Sequence, residues 1–275
     1  MSGWRNCPLA FDLNLDGRRN EAMTAPLGIL MLNTKFPRIP GDIGNPESFS
    51  FPVRKKAVEN ANPDSVVFHN SPALLEPFLA AAEELEREGV RAITTSCGFL
   101  AMYQKELAAR VHIPVFTSSL LQVNMVSSLL PANQCVGIMT ISANKLGERH
   151  FQGVGIAETK KVIWGLEGTH FYDVFTDRVS RFDRQQATRD MISQAQAMVR
   201  EHPEVGAIIF ECTNMPPYAG AVSQALGLPV YDILTLANYV MSGVFRSAYV
   251  DGHPGTSPGT GSVSPREATT VRSCI

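Results

Sequence analysis

Two stretches of this 275-residue chain superimpose without a gap, and that match limits the fold more than any other feature. AITTSCGFLAMYQKELAARVHIPVF, Ala92 to Phe116, lies on AIIFECTNMPPYAGAVSQALGLPVY, Ala207 to Tyr231, at an offset of 115 residues. Cys97 falls on Cys212, Pro114 on Pro229 and Phe116 on Tyr231. Each copy reads as an apolar strand, a cysteine, a helix, a short turn and a strand opened by proline. A second match, QCVGIMTIS (Gln134 to Ser142) on APLGILMLN (Ala25 to Asn33), has an offset of 109 and puts Gly137 on Gly28. A duplicated β–α–β pattern implies parallel sheets with helices on both faces. The expected fold class is therefore α/β: two pseudo-symmetric lobes, each a parallel sheet flanked by helices, with the active site in the cleft between them.

The rest of the chain is read against that duplication. Residues 1–24 are polar and aperiodic and are taken as an N-terminal extension; 25–117 form the first α/β lobe and 118–133 a connecting helix. Residues 134–231 form the second lobe and 232–249 a closing helix. The last stretch, 250–275, rich in Gly, Pro, Ser and Thr, is expected to be a flexible tail. LGILMLN, from Leu27 to Asn33, is a continuous apolar run of the kind that a sheet buried on both faces requires. Thr34 to Val53 holds four prolines and two glycines, too many breakers for a helix, and leaves the carboxyl end of that strand. A helix is predicted from near Pro52 to Asn62, a second strand at SVVFHN, and a long helix at PALLEPFLAAAEELEREG ending at Gly89. In the second half the counterparts are a helix over Asn144 to Val154, a strand at KVIWGLEG and a long helix from Gln185 to Glu201.

The paired cysteines sit where a buried strand gives way to a helix, at the sheet edge where doubly wound folds place their chemistry. Free N–H groups and a partial positive charge at a helix start favour thiolate and lower a cysteine's pKa, and a substrate carboxylate suits the same edge. Thiols on opposite sides of a cleft would let one remove a proton from a carbon while the other supplies one to the opposite face, as inversion of a stereocentre demands. A lone free cysteine is most often a small buried hydrophobe, and Cys7, Cys135 and Cys274 are read that way. A pair held in register across a duplication is not.

The segments ITTSCGF and ECTNM, the ending GLPVYD and the duplication itself resemble the aspartate/glutamate racemase superfamily (the Asp/Glu/hydantoin racemase family) over roughly residues 25–248. That group also contains maleate isomerases and arylmalonate decarboxylases. The resemblance implies a cofactor-independent (PLP-independent) isomerase with Cys97 and Cys212 as catalytic acid/base. It implies that Thr213 binds the substrate carboxylate and that Asn33 and Thr34 line the same site. Ser96, Gly98, Phe99, Thr140 and Asn214 complete the substrate-binding set. Amino-acid racemases of the family usually carry Cys-Asn-Thr at the first cysteine, where this chain has Cys97-Gly98-Phe99. The bare Gly98 N–H suits an oxyanion or carboxylate and Phe99 adds an apolar wall, which points to a substrate with a less polar or bulkier side.

The expected function is thus a racemase or epimerase acting beside a carboxylate by two-cysteine proton transfer. The alternatives are a cis–trans isomerase or decarboxylase of a small dicarboxylate on the same scaffold, and a non-catalytic small-ligand-binding protein. No metal is expected: there is no CxxC, and no His/Cys spacing of a zinc site. The net charge of −2 gives no case for nucleic acid or an anionic membrane. Without a long apolar run or a secretory leader the chain reads as cytoplasmic, and a two-lobed enzyme of this size is expected to pair as a homo-oligomer. Arg38 is read as a substrate clamp or a solvated loop arginine. Glu167, and His69 with Asn70, are read as supporting or turn residues. Glu211 is read as structural, because strand alternation turns it away from the face of Cys212.

Overall fold

The computed structural model describes residues 26–69, 71–176, 178–179 and 181–246. The N-terminal extension, the tail, Cys7, Cys274 and Asn70 lie outside the described residues. Two four-stranded parallel sheets stand where the duplication placed them. In the first lobe these are β1 (Leu27–Met31), β2 (Val53–Ala57), β3 (Ala92–Thr95) and β4 (Val115–Phe116), with helices α1 (Leu75–Arg87) and α2 (Gln104–Arg110), in the order β2-β1-β3-β4. Helix α3 (Val123–Leu129) leads to the second lobe. There the strands are β5 (Cys135–Thr140), β6 (Lys161–Gly165), β7 (Val205–Phe210) and β8 (Val230–Tyr231). The helices are α4 (Glu148–Val154), α5 (His170–Phe175), α6 (Arg184–Glu201) and α7 (Ala219–Leu226), and α8 (Ile233–Val244) ends the described fold. The order β6-β5-β7-β8 repeats the first sheet. Among the described residues no helix is long and apolar enough to cross a membrane.

The sequence offsets reappear as hydrogen-bond register. Gly28 pairs with Ile93 and Gly137 with Ile208; Ile93 pairs with Val115 and Ile208 with Val230. The two matched glycines do the same job. A Cβ on Gly28 would lie 2.9 Å from Leu85 Cδ1 of α1, and one on Gly137 would lie 2.8 Å from Met198 Cε of α6. At both places the long helix packs directly on the central strand.

Three expectations change, two of them in the first lobe and one in both. The second strand is VRKKA, Val53–Ala57, where a helix was predicted. It is an edge strand, and its Arg54 and Lys56 reach Glu88 and Glu84 of α1. Charged side chains protect an open edge in this way, and they hide the strand's apolar pattern. SVVFHN is not a strand: Asp64–Phe68 forms a single wide helical turn, opened by Pro63 and by Asn62, whose Oδ1 accepts the Ser65 N–H at 2.9 Å. After both cysteines the chain takes tight 3-10 turns, Gly98–Tyr103 and Pro216–Tyr218, before α2 and α7 begin.

The helices that close each half cover the sheet of the other. α8 lays Ile233, Leu236, Ala237 and Met241 against Leu27, Ile29, Ala92 and Phe116 of the first sheet. α3, which leaves the first lobe, packs on β5 of the second. α4 of the second lobe packs on the turn after Cys97, so closely that a Cβ on Gly153 would lie 2.2 Å from the Ala101 carbonyl oxygen.

Candidate functional site

Cys97 follows β3 by two residues and Cys212 follows β7 by two, and both line one cleft between the lobes. The cleft has a cavity volume of about 40 Å³. Ser96, Gly98, Phe99, Thr213 and Asn214 line it with them, as does Thr34. Asn33 does not; it faces an adjoining pocket that also takes in Thr34 and Phe36. Thr140 lies behind the wall, where its hydroxyl donates to Glu211 Oε2 at 2.8 Å.

Several hydroxyls expected to meet substrate are already engaged. Thr213 Oγ1 donates to the Ser96 carbonyl at 2.7 Å and Ser96 Oγ accepts the Leu32 N–H at 2.8 Å; both residues are buried. Thr34 Oγ1 accepts from Arg38 at 3.0 Å. Thr213 therefore works as a bond between lobes, and what it offers a ligand is its backbone. The N–H groups of Gly98 and Thr213, matched positions in the two halves, make no hydrogen bond to any described residue. They form a pair of free donors, one on each lobe.

The breaker-rich loop after β1 belongs to the second cysteine. Ile43 N–H donates to the Thr213 carbonyl at 3.3 Å, and Asp42 Oδ2 accepts from Asn214 Nδ2 at 2.6 Å. That bond turns Asn214 Oδ1 toward Cys212, whose thiol donates to it at 3.5 Å. Arg38 pairs with Asp42 at 2.9 Å and stacks over Phe36 at 4.5 Å. It is neither a free substrate clamp nor a solvated arginine. Glu167 accepts from Ser142 at 2.8 Å and steadies a turn. His69 is bound locally to Asp64.

Glu211 departs most from its expected role. The strand ends at Phe210, so alternation no longer governs the next side chain, and Glu211 turns into the wall of the cleft. It is fully buried, and Oε1 has no hydrogen-bond partner. The missing side chain of Gly98 makes room for it: a Cβ there would lie 2.2 Å from both Glu211 Oε1 and its carbonyl oxygen. Burial pushes the Glu211 carboxyl up to about 8, against a smaller lowering by Thr140.

The thiols also differ from expectation. Burial, then the charge of Glu211, pushes Cys97 up to about 12, while the Phe99 N–H and Arg38 lower it. Cys212 is raised by the same two causes in the same order; the Asn214 N–H lowers it, and Cys97 and Asp42 raise it further. A 3-10 turn aligns too few peptide dipoles to offset this desolvation, which is why the expected lowering is absent. A positively charged ligand would supply what the turn does not.

Sequence reasoning passed over Glu211, Asp42 and most of the apolar wall. That wall is built from Phe36, Phe68, Phe99 and Phe175 with Leu32, Val67 and Ile141. The rings of Phe36 and Phe175 meet edge-on at 4.5 Å. A glutamate interrupting the apolar run AIIFEC was the available signal for the first; nothing local marks the other two.

The sequence pattern of the Asp/Glu/Hydantoin racemase family matches residues 63–238. A dimethylsulfoniopropionate lyase of Durusdinium sp. clade D is 30% identical over 82% of this chain and 77% of its own length. Dimethylsulfoniopropionate lyase 5 of Emiliania huxleyi (strain CCMP1516) is 27% identical over 83% of this chain, which spans 47% of that longer protein. Among solved structures, a point mutant of arylmalonate decarboxylase with associated sulfate superimposes with a TM-score of 0.57 at 16% identity, covering 82% of this chain and 97% of the other. Glutamate racemase from Francisella tularensis with D-glutamate gives 0.50 at 15%, covering 80% and 81%. At these identities the structural likeness speaks for the fold alone.

Proposed function

Because this chain belongs to the Asp/Glu/hydantoin racemase family, within which its fold and cleft can serve racemases, decarboxylases and lyases alike, we propose that it is a lyase. Its substrate would be a short carboxylate bearing a positively charged sulfur on the next carbon but one, dimethylsulfoniopropionate being the representative. The observation that carries this reading is a cleft with one buried and one half-buried thiol set in a wall of four phenylalanines. Aromatic faces attract cations such as a sulfonium, and a small methylated cation fits an apolar wall that would reject an amino acid's polar side chain. The carboxylate end finds the free N–H groups of Gly98 and Thr213. The relatives named above act, by their names, on this compound.

The chemistry follows from the substrate. The sulfonium brings positive charge beside thiols that burial holds protonated, and so favours thiolate when the substrate is present. Cys97 is the better base: each thiol receives an N–H from the residue two on, but Arg38 favours the Cys97 anion, while Asp42 and Cys97 oppose that of Cys212, whose proton is held by Asn214 Oδ1. Cys97 takes the proton from the carbon next to the carboxylate. The electrons of that C–H bond form the C=C bond, the carbon–sulfur bond breaks, and its pair stays on sulfur. Dimethyl sulfide and acrylate leave, and Cys97 returns its proton to water.

A second reading, racemisation beside a carboxylate, is favoured by the presence of both thiols in one cleft. Incubation with dimethylsulfoniopropionate in deuterated water separates the two. The lyase gives equal amounts of dimethyl sulfide, read by headspace gas chromatography, and acrylate, read by proton NMR; Cys97→Ala abolishes both. No sulfide, with deuterium entering the α-carbon of an amino acid instead, overturns the lyase in favour of the racemase.

A further inference from the structure

Glu211 is left over from that chemistry, yet it is built into the site with care. It is fully buried, it follows β7 directly, and it precedes one catalytic candidate while contacting the turn of the other. One oxygen is fixed by Thr140 of β5 at 2.8 Å. The other, Oε1, has no partner. A buried polar atom without a partner costs stability, so its retention in a cleft wall indicates a partner that arrives with the ligand.

We propose that Glu211 is a third catalytic group of this site: a buried carboxylic acid that hydrogen-bonds the substrate carboxylate through Oε1 and stabilises the negative charge gathering there as the adjacent carbon loses its proton. The proposal rests on the reading that a carboxylate substrate is deprotonated in this cleft, and it names the group that receives the charge. Three features support it. Gly98 gives up its side chain to let Oε1 reach the Cys97 turn, and Gly98 N–H is one of the two free donors. Thr140 donates to Oε2, which leaves the acid proton for Oε1. An ionised Glu211 would oppose formation of either thiolate, since its charge raises both thiols; a neutral one would not. The titratable groups facing it are those thiols. The charged groups beyond them, Arg38 and Asp42 of the loop, are paired with each other, and His150 of α4 packs behind Phe99 and is held neutral by burial. A carboxylic acid kept neutral near pH 7 can donate a hydrogen bond that a carboxylate cannot.

Two measurements test this, one of them independent of turnover. The infrared difference spectrum of wild type minus Glu211→Gln should show a protonated-carboxyl C=O band at pH 6 that is gone at pH 10; absence of the band at pH 6 overturns the proposal. Turnover of dimethylsulfoniopropionate should survive within about tenfold in Glu211→Gln, which keeps a donor, and should lose its alkaline fall-off. It should drop on the order of a hundredfold in Glu211→Leu, the loss typical of a removed oxyanion donor. Folding of both variants is checked by circular dichroism. A Gln variant as inactive as the Leu variant, or a fully active Leu variant, overturns the proposal. Should the substrate not turn over in wild type, propionate titrated by calorimetry takes its place. Binding that weakens above pH 8 in wild type only, and at least tenfold in Glu211→Leu, upholds the role of Glu211 while the lyase reading fails; binding indifferent to both overturns it.

Discussion

Cys97-Gly98-Phe99 and Cys212-Thr213-Asn214 occupy the same register of the same unit, and they have parted ways chemically. The first turn presents a bare backbone and an aromatic ring to the cleft. The second spends its polar side chains on holding the molecule together, Thr213 on the Ser96 carbonyl and Asn214 on Asp42. The thiols follow suit: each receives an N–H from the residue two on, but Cys97 feels the charge of Arg38, while Cys212 feels that of Asp42 and donates to Asn214 Oδ1. Their divergence is complementary, because the side chain absent at Gly98 is the space that Glu211 beside Cys212 fills. A duplicated site thus became a single asymmetric one.

The comparison breaks most decisively at the thiols. Cys97→Ala should reduce turnover on the order of 10³-fold, the range for removal of a general base, and Cys212→Ala, whose thiol takes no proton in that mechanism, less than about tenfold, both by headspace assay. Equal losses would mean that the two turns still share one role. Next comes the pH dependence of stability. Glu211 has a raised folded pKa, so it is neutral in the fold while ionised in the unfolded chain between about pH 4.5 and 8. Stability therefore declines as pH rises through that window, and Glu211→Gln should gain about 3 kcal/mol at pH 7, vanishing toward pH 4.5, in urea titrations. Gly98→Ala should destabilise by about 1–3 kcal/mol, because a carbonyl oxygen and a carboxyl stand where its methyl would go. Alanine at the matched Thr213 should meet no such collision. The smallest effect, about 1 kcal/mol, belongs to Thr213→Val, which removes the bond to Ser96; a loss of activity without that loss of stability would return Thr213 to the substrate.

The central strands and the cleft were legible because a duplicated apolar pattern is redundant: β1, β3, β5 and β7 are each supported by a twin. Errors fell where the twins differ. β2 carries Arg54 and Lys56 because it is an edge strand paired with α1, whereas its counterpart β6 reads Val-Ile-Trp, so only the second was recognised. The cysteines were legible as matched positions, but their ionisation was not, since desolvation depends on walls such as Phe36, Phe68 and Phe175 that come from three distant segments. Thr213 carried the right residue type for a carboxylate, yet its hydroxyl meets a carbonyl 117 residues earlier in the chain. Glu211 was misjudged by applying a strand rule one residue beyond the strand's end.

The exchange of closing helices bears on how the chain comes together. As the first 230 residues emerge from a ribosome, the face of β1 and β3 formed by Leu27, Ile29 and Ala92 has no cover, because α8 is still to be made. The first sheet must wait with an apolar face open, a condition that slows folding and invites association with other chains. The cleft is held differently: Thr213 to the Ser96 carbonyl, Ile43 to the Thr213 carbonyl and Asn214 to Asp42 join its two cysteine edges directly, without that helix.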